Sequence, residues 1–439
     1  MEFYNKEFFK IIDENLKKKK EKVNGELFVD IKTYEKQNKI IENFIKEKEL
    51  IIYGGTSMNK FLPENKKIYS DEIGILTDYD VHTYEPKKNA IELANILFKN
   101  NFEYVNVRDG VTPGVYKIFC NFQPAVDFSY IPKKVFEDLP FDTFDDGLHF
   151  SNPVHLKIDL YYSLTNPRQA LFRWEKDFKR LELLEEEFPY NKPNDCRVEI
   201  KPEINFYPIQ NFIYNFLLKE DILFTGDIAY MYYMKKSNLN EYHKSDMKYI
   251  EVMSTRPLVL LKKLKDKLKP EIVIKEFHQF LRHIPKRYVI ALKSNPQNIL
   301  AIIYDLEENC VPFQTENNIK YVSFDYLLFF YNGFKYLAKR YKLKLYENSL
   351  CCLYYLIEGR KYYFKNHKKD KLSISPFRSC IVYCEGKEPN LLRIHKINYW
   401  NKKRFDYKPS KRKELLEPSS IGTGSVKNIS GEYSKDIFV

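Results

Sequence analysis

Glycine is scarce, with 14 in 439 residues. An adjacent pair, Gly54-Gly55, therefore stands out, since glycine serves where the backbone must turn sharply or be approached closely. Long apolar runs are missing too. No stretch of 18 apolar residues occurs, so no membrane-spanning helix is expected. The first 22 residues are charged throughout and lack the apolar centre of a signal peptide. Cysteines number seven, an odd count in a long chain, which argues against a disulfide framework. Cys380-x3-Cys384 and Cys351-Cys352 lack regular ligand spacing, and His367 and His395 have no second histidine beside them. Buried thiols in a reducing, cytoplasmic setting are expected rather than a metal centre.

The length allows two or three domains. Apolar residues at 44% and charged residues at 30% describe a globular protein, and aromatics reach 16%. The formal charge of +12 favours a polyanionic partner such as nucleic acid, although a lysine-rich surface also serves solubility.

Along the chain, residues 1–46 read as a helical N-terminal segment, with apolar residues at three- and four-residue spacing and a helix from Ile31 to Lys48. Ile51-Ile52-Tyr53 reads as a strand, Gly54-Gly55-Thr56-Ser57 as a turn, and Met58 to Leu62 as a helix. Ile73 to Val81 returns as a strand carrying Asp78-Tyr79-Asp80. Pro86 opens a helix. Residues 102–107 alternate as a strand. Tyr116 to Phe119 and Ala125 to Tyr130 form a hairpin that places Asp127 mid-strand. Helices follow over 153–165 and 167–188, the second carrying Arg168, Arg173, Lys176, Lys179 and Arg180. Prolines and polar residues at 189–202 mark a boundary.

The pattern then returns. Ile222 to Met231 again reads as strand, glycine turn and helix, and Ile250 to Pro257 as a strand ending at a helix-opening proline. Gly55 to Asp80 spans 25 residues, as does Gly226 to Glu251, which points to an internal duplication. The second copy has one carboxylate, Glu251, where the first has Asp-x-Asp, so it is read as catalytically dead. The resulting division is 1–46 helical, 47–192 catalytic, 203–380 a degenerate copy, and 381–439 a basic segment with a flexible tail. Lys335–Lys371 holds 11 Lys/Arg against three acids, and Lys387–Lys413 ten against two, interleaved with aromatics as single-stranded nucleic-acid binders are.

Two acids at i and i+2 of a strand face the same way. Asp78 and Asp80, with Asp127 on a later strand, form an oxygen cage suited to Mg²⁺ or Mn²⁺. Asp159, in a helix, is the rival third acid, and Asp71 falls in a loop. Gly54 and Gly55 let backbone N–H groups reach a triphosphate, Thr56 belongs to the same turn, Ser57 offers a hydroxyl, and the following helix N-terminus favours anions. Together these parts describe nucleotidyl transfer assisted by two metal ions.

Tyr53-Gly54-Gly55-Thr56-Ser57, Thr77-Asp78-Tyr79-Asp80-Val81 and Val126-Asp127-Phe128-Ser129-Tyr130 resemble the polymerase-β-type nucleotidyltransferases. More narrowly, over residues 45–380 the chain resembles the poly(A) polymerase catalytic subunits of large DNA viruses, of the poxvirus and giant-virus kind. The helix around Arg168-Gln169-Ala170-Leu171-Phe172-Arg173-Trp174 supports this. The resemblance implies an α+β fold of tandem nucleotidyltransferase-like domains, each a mixed sheet flanked by helices, the first active and the second degenerate. It implies Asp78, Asp80 and Asp127 as metal-binding catalytic acids and Gly54, Gly55 and Ser57 as nucleotide-binding residues. ATP would be the donor and an RNA 3′ end the acceptor, with phosphates held by Arg168, Arg173, Lys176, Lys179 and Arg180. Members act as homodimers or with a stimulatory subunit, and a viral factory or virion is the implied location. A different nucleotide or acceptor, or a non-catalytic RNA scaffold, is the competing reading.

Overall fold

The computed structural model describes residues 31–69, 78–110, 114–167, 171–194, 196–200, 206–243, 249–268, 271–277, 285–306, 310–340, 345–367 and 374–386. Expectations for residues 1–30, for Arg168 and for the basic region beyond 386 lie outside these residues. The chain divides into two compact units, one over 1–152 and the other from Pro153 on.

In the first unit, helix α1 (Ile31–Glu47) leads into β1 (Ile51–Tyr53), α2 (Gly54–Phe61), β2 (Tyr79–Thr83) and α3 (Pro86–Lys99). Strands β3 (Asn106–Asp109), β4 (Val115–Cys120) and β5 (Gln123–Tyr130) follow, then the short α4 (Lys133–Phe136), β6 (Phe141–Thr143) and β7 (His149–Ser151). The strand expected over 102–107 begins later, at Asn106. The described strands form one mixed sheet in the order β3-β4-β5-β2-β1-β7-β6, with β2 parallel to β5 and antiparallel to β1. One face is apolar. Val81, Val126, Phe128, Ile118 and Tyr116 pack against Ile41, Phe44 and Ile45 of α1 and Ala90, Leu93 and Leu97 of α3. Burying such large side chains contributes about 1.5–3 kcal/mol each. The period-2 pattern of the strands leaves the alternate residues on the other face, where Lys117 and Phe119 of β4 are only partly covered.

The second unit starts with α5 (Pro153–Leu164) and α6 (Trp174–Glu187), which pack on each other. The sequence placed both helices with the first sheet, but α5 packs instead on α10 (Phe324–Arg340) of the second unit, and the units part at Asn152/Pro153 rather than at 189–202. Between lie β8 (Val198–Ile200), α7 (Pro208–Leu217), β9 (Leu223–Phe224), α8 (Gly226–Ser237), β10 (Glu241–His243), β11 (Ile250–Ser254) and α9 (Pro257–Leu268). Strands β12 (Ile272–Phe277), β13 (Arg287–Leu292), β14 (Ile299–Asp305), β15 (Val311–Glu316) and β16 (Ile319–Val322) precede α10, α11 (Leu345–Asn366) and β17 (Cys384–Glu385).

Its larger sheet runs β12-β13-β14-β11-β9-β16-β15-β17. Its first seven strands repeat the first sheet in order, and β17 is an addition at the edge. Thus β11 is parallel to β14 and antiparallel to β9, as β2 is to β5 and β1. The helix entries match as well: Tyr53 before α2 has φ −132° and ψ −165°, and Thr225 before α8 has φ −132° and ψ −167°. Gly54 (φ 71°) and Gly226 (φ 55°) open the helices in left-handed conformations. The counterpart of Gly226 is therefore Gly54, one residue earlier than the equal offsets from Gly55 suggested.

Two disulfides, Cys196–Cys351 and Cys310–Cys384, overturn the expectation of thiols at those four positions. The partners are 155 and 74 residues apart, so sequence spacing gave no sign of them. Cys120, Cys352 and Cys380 lie outside these disulfides. Among the described residues no helix is long and apolar enough to cross a membrane.

Candidate active site

The candidate site is a row of side chains on the sheet face turned away from α1 and α3, where Asp127 is buried and Asp80 and Lys117 are partly covered. Directly opposed residues on neighbouring strands point to the same face. Asp80 of β2 pairs with Asp127 of β5, Asp127 with Lys117 of β4, and Lys117 with Arg108 of β3, while Tyr53 of β1 lies opposite Asp80. Asp78 lies just before β2, and its carbonyl accepts the Thr56 hydroxyl at 3.2 Å. Asp80 and Asp127 thus lie on one face of adjacent strands, with Asp78 at the entry to β2. Asp159 lies on α5, in the second unit, and forms a 3.8 Å contact with His155 one turn away.

Gly54 is positioned by a steric demand. A Cβ there would lie 2.3 Å from Asp80 Oδ2, and its φ of +71° strains any other residue. Only glycine lets the Asp80 carboxylate lie directly against the turn. No side chain caps α2, so its first-turn N–H groups are left for another acceptor. Ser57 departs from expectation. Its hydroxyl is fully buried and donates to the Ser151 carbonyl at 2.9 Å, tying α2 to β7. Its proton is committed, so the anion-facing donors of the turn are backbone N–H groups.

Lys117 was not singled out from sequence, where a lone lysine in a strand carries no signal. Its ammonium pairs with the Asp127 carboxylate. Asp127 is thus turned toward Lys117 while Asp80 rests against Gly54, and the three carboxylates are not gathered within reach of one ion. The donor set still suits a hard divalent cation: carboxylates on one face, one already balanced by a positive charge, beside a cradle that a single Cβ would fill. Asn59 was quoted in the glycine-turn motif but given no role. Its Oδ1 accepts from Ile68 N at 2.8 Å and Tyr69 N at 3.1 Å, and its Nδ2 donates to the Tyr69 carbonyl at 3.2 Å. It clamps the segment that runs toward Asp78. The Tyr53 ring stacks on His82 at 3.7 Å, and its hydroxyl meets Ser129 Oγ at 2.7 Å, which stiffens the β1 end of the row.

The proposed phosphate-holding helix behaves differently. Arg180 is buried, Lys179 pairs with Glu175 at 2.6 Å, and Arg173 contacts Asp177 at 3.5 Å; Lys176 is exposed. Trp174 is buried, its indole N–H donating to the Ser163 carbonyl at 3.0 Å, so it serves helix packing.

In the second unit the same frame carries other chemistry. Tyr249 stands in the place of Asp78, Glu251 in that of Asp80, Ile302 in that of Asp127, and Ala229 in that of Ser57. A Cβ on Gly226 would collide with Glu251 Oε2. Glu251 is buried and accepts from Tyr304 Oη at 2.7 Å. Burial, then the nearby Asp227 charge, pushes its carboxyl up to about 8.

The family described as "Poly(A) polymerase catalytic subunit" matches residues 39–170, which include the whole row. A mimivirus protein (Acanthamoeba polyphaga mimivirus), provisionally named a poly(A) polymerase catalytic subunit, is 25% identical over 459 aligned positions, covering 91% of this chain and 77% of its own. A like-named protein of African swine fever virus, strain Badajoz 1971, is 24% identical, covering 71% and 68%. The crystal structure of the Megavirus polyadenylate synthase superposes with a TM-score of 0.78 at 22% identity, covering 98% of this chain and 93% of that one, which establishes the tandem α+β fold. With the acid row and glycine turn inside the matched segment, the chain is similar there to the poly(A) polymerase catalytic subunits of large DNA viruses.

Proposed function

We propose that this chain is a template-independent polynucleotide adenylyltransferase that moves AMP from ATP to an RNA 3′ end and releases pyrophosphate. The observation that carries this reading is the register Asp80–Asp127, with Asp78 beside them and Gly54 against Asp80. The first-turn N–H groups of α2 hold the triphosphate, since an uncapped helix start attracts anions. Asp127, on the strand farther from the glycine turn, faces the attacking 3′-hydroxyl and helps take up its proton. Asp78, Asp80 and Asp127 would hold the Mg²⁺ or Mn²⁺ ions, whose charge supplies Lewis-acid neutralisation at the reacting phosphate. Lys117 then gives up Asp127 and is left to meet a phosphate. The second sheet lacks the row and serves as a scaffold. The relatives' names speak of a catalytic subunit, in keeping with a stimulatory partner or a second copy.

The test is extension of a labelled oligo(A) primer with ATP in Mg²⁺ or Mn²⁺. Wild-type protein should extend it. The Asp78→Ala/Asp80→Ala double variant should lose at least about 10³-fold in rate, in line with removal of charge stabilisation at a transition state, with the thermal transition retained. Extension at the wild-type rate by a folded double variant would sink the assignment.

A further inference from the structure

The row does not end at the acids, and it becomes exposed at Arg108. Beyond Asp127 the row continues to Lys117 and Arg108, and one step toward the hairpin tip come Phe119 and Asn106. The exposed Arg108 lies flat against this surface, its guanidinium 5.0 Å above the Phe119 ring and its Nε donating to Asn106 Oδ1 at 2.8 Å. The β4–β5 hairpin then reaches past the start of β2, since Asp80 and Tyr79 pair with Asp127 and Val126 while the hairpin runs on to Gln123. The tip therefore overhangs the end of the sheet that carries Asp78.

Two bulky aromatics sit at that tip. Phe122 is 71% exposed and Tyr104 is 56% exposed, with ring centroids 4.1 Å apart. The hairpin turn is Asn121-Phe122, with φ values of 50° and 66°. Two-residue turns of this kind take glycine at the second position, and a phenylalanine there is a conformational outlier. Asn121 N anchors the tip to the Glu103 carbonyl at 3.0 Å. Protection of an edge strand from aggregation accounts for an exposed arginine on β3. It does not account for an exposed ring held in a strained turn, which costs stability and marks functional sites.

We infer that this face, from Arg108 and Phe119 to the Phe122–Tyr104 pair, is the track for the 3′ segment of the acceptor RNA, with Arg108 on phosphate and the rings stacking on bases. The inference rests on the adenylyltransferase reading and adds the path of the acceptor to it. The donor triphosphate lies on the other side of Asp80, at the glycine turn, so the β5–β4–β3 side is left for the acceptor. Phe122 is five residues from Asp127 along β5, roughly 16 Å. That distance spans about five nucleotides at the ~3.4 Å rise of a stacked strand.

Two variants separate this from a structural role. Phe122→Gly removes the ring while supplying the residue the turn favours, so its melting temperature should equal or exceed the wild type's. Arg108→Gln removes one phosphate contact. Primer extension gives the KM for oligo(A) and for ATP, and anisotropy of labelled oligo(A) without ATP gives direct binding. We expect Phe122→Gly to raise the oligo(A) KM and Kd roughly tenfold, the scale of one lost base stack, with the ATP KM unchanged. Arg108→Gln should lower the slope of log affinity against log salt by about 0.7. Wild-type oligo(A) binding in both variants, or a rise in the ATP KM instead, overturns the inference. Failure of wild-type protein to extend the primer counts against the adenylyltransferase reading alone, because the binding arm still decides the track.

Discussion

Two carboxylates in equivalent places, Asp80 and Glu251, are held in different environments. Asp80 sits on a partly open face. Glu251 is enclosed with Tyr304 and Asp227, and its carboxyl titrates near 8 rather than at the ordinary 4.5. An acid whose folded value is raised gives the fold stability that is fully present below the unfolded value and lost as pH rises through the folded one. The second unit should therefore lose stability between about pH 4.5 and pH 8, by a few kcal/mol at about 1.4 kcal/mol for each pH unit. Thermal unfolding from pH 5.5 to 8.5 should show a falling Tm in the wild type and a flatter profile in Glu251→Gln, and equal slopes would contradict this account. The strand positions of Asp80 and Asp127 were legible from sequence, because period-2 alternation is a short-range signal. Lys117 was not, because its meeting with Asp127 depends on strand register, which short-range pattern does not carry. The inward turn of Ser57 was hidden likewise, since its acceptor is 94 residues away.

Among the elements, α2 carries the most duties for its eight residues. Its first turn faces the anion site, its Ser57 binds β7, and its Asn59 clamps Ile68 and Tyr69. The clamp fixes the backbone of Ile68 and Tyr69 against α2 while touching none of the chemistry. Asn59→Ala should leave the thermal transition within about 2 kcal/mol of wild type, the usual range for lost side-chain hydrogen bonds. It should lower kcat at least about tenfold, through a loosened α2 and the glycine turn that opens it. An unchanged kcat would show that the clamp is dispensable. Helix existence and type were readable for α1, α3 and α5 from period and from Pro86 and Pro153. The helix expected from Pro167 begins its α-helical part at Trp174, after a 3-10 turn at Leu171–Arg173. Its basic residues were read as one surface, but burial of Trp174, Asp177 and Arg180 turns part of that face inward.

Over the whole molecule, duplication was visible as matched offsets, and the sheets repeat it strand by strand. Unit boundaries were less visible, because α5 follows the first sheet in sequence yet packs with α10, and α6 packs on α5. The disulfides were invisible, since nothing local marks partners 155 or 74 residues apart. They give a direct count. Protein isolated under non-reducing conditions and denatured should react with a thiol reagent at three cysteines, rising to seven after reduction. Loops of that size are the kind whose closure stabilises by about 4–5 kcal/mol in the chain-entropy picture, so reduction should also lower the Tm. Seven reactive thiols before reduction would refute both bonds.

The contact between a left-handed glycine and a carboxylate occurs twice, at Gly54 with Asp80 and at Gly226 with Glu251. Natural selection acting on these positions has two separate reasons to forbid the same substitution. At Gly54 a methyl group displaces Asp80, the acid proposed to act in the reaction. At Gly226 it displaces an acid from an interior that has no room for it. A mutational scan scored by tail synthesis alone would rank the two glycines as equally indispensable and so mistake a relic of the ancestral catalyst for a working part. Scored beside protein abundance, the pair comes apart, and the history of the second copy becomes readable in the difference.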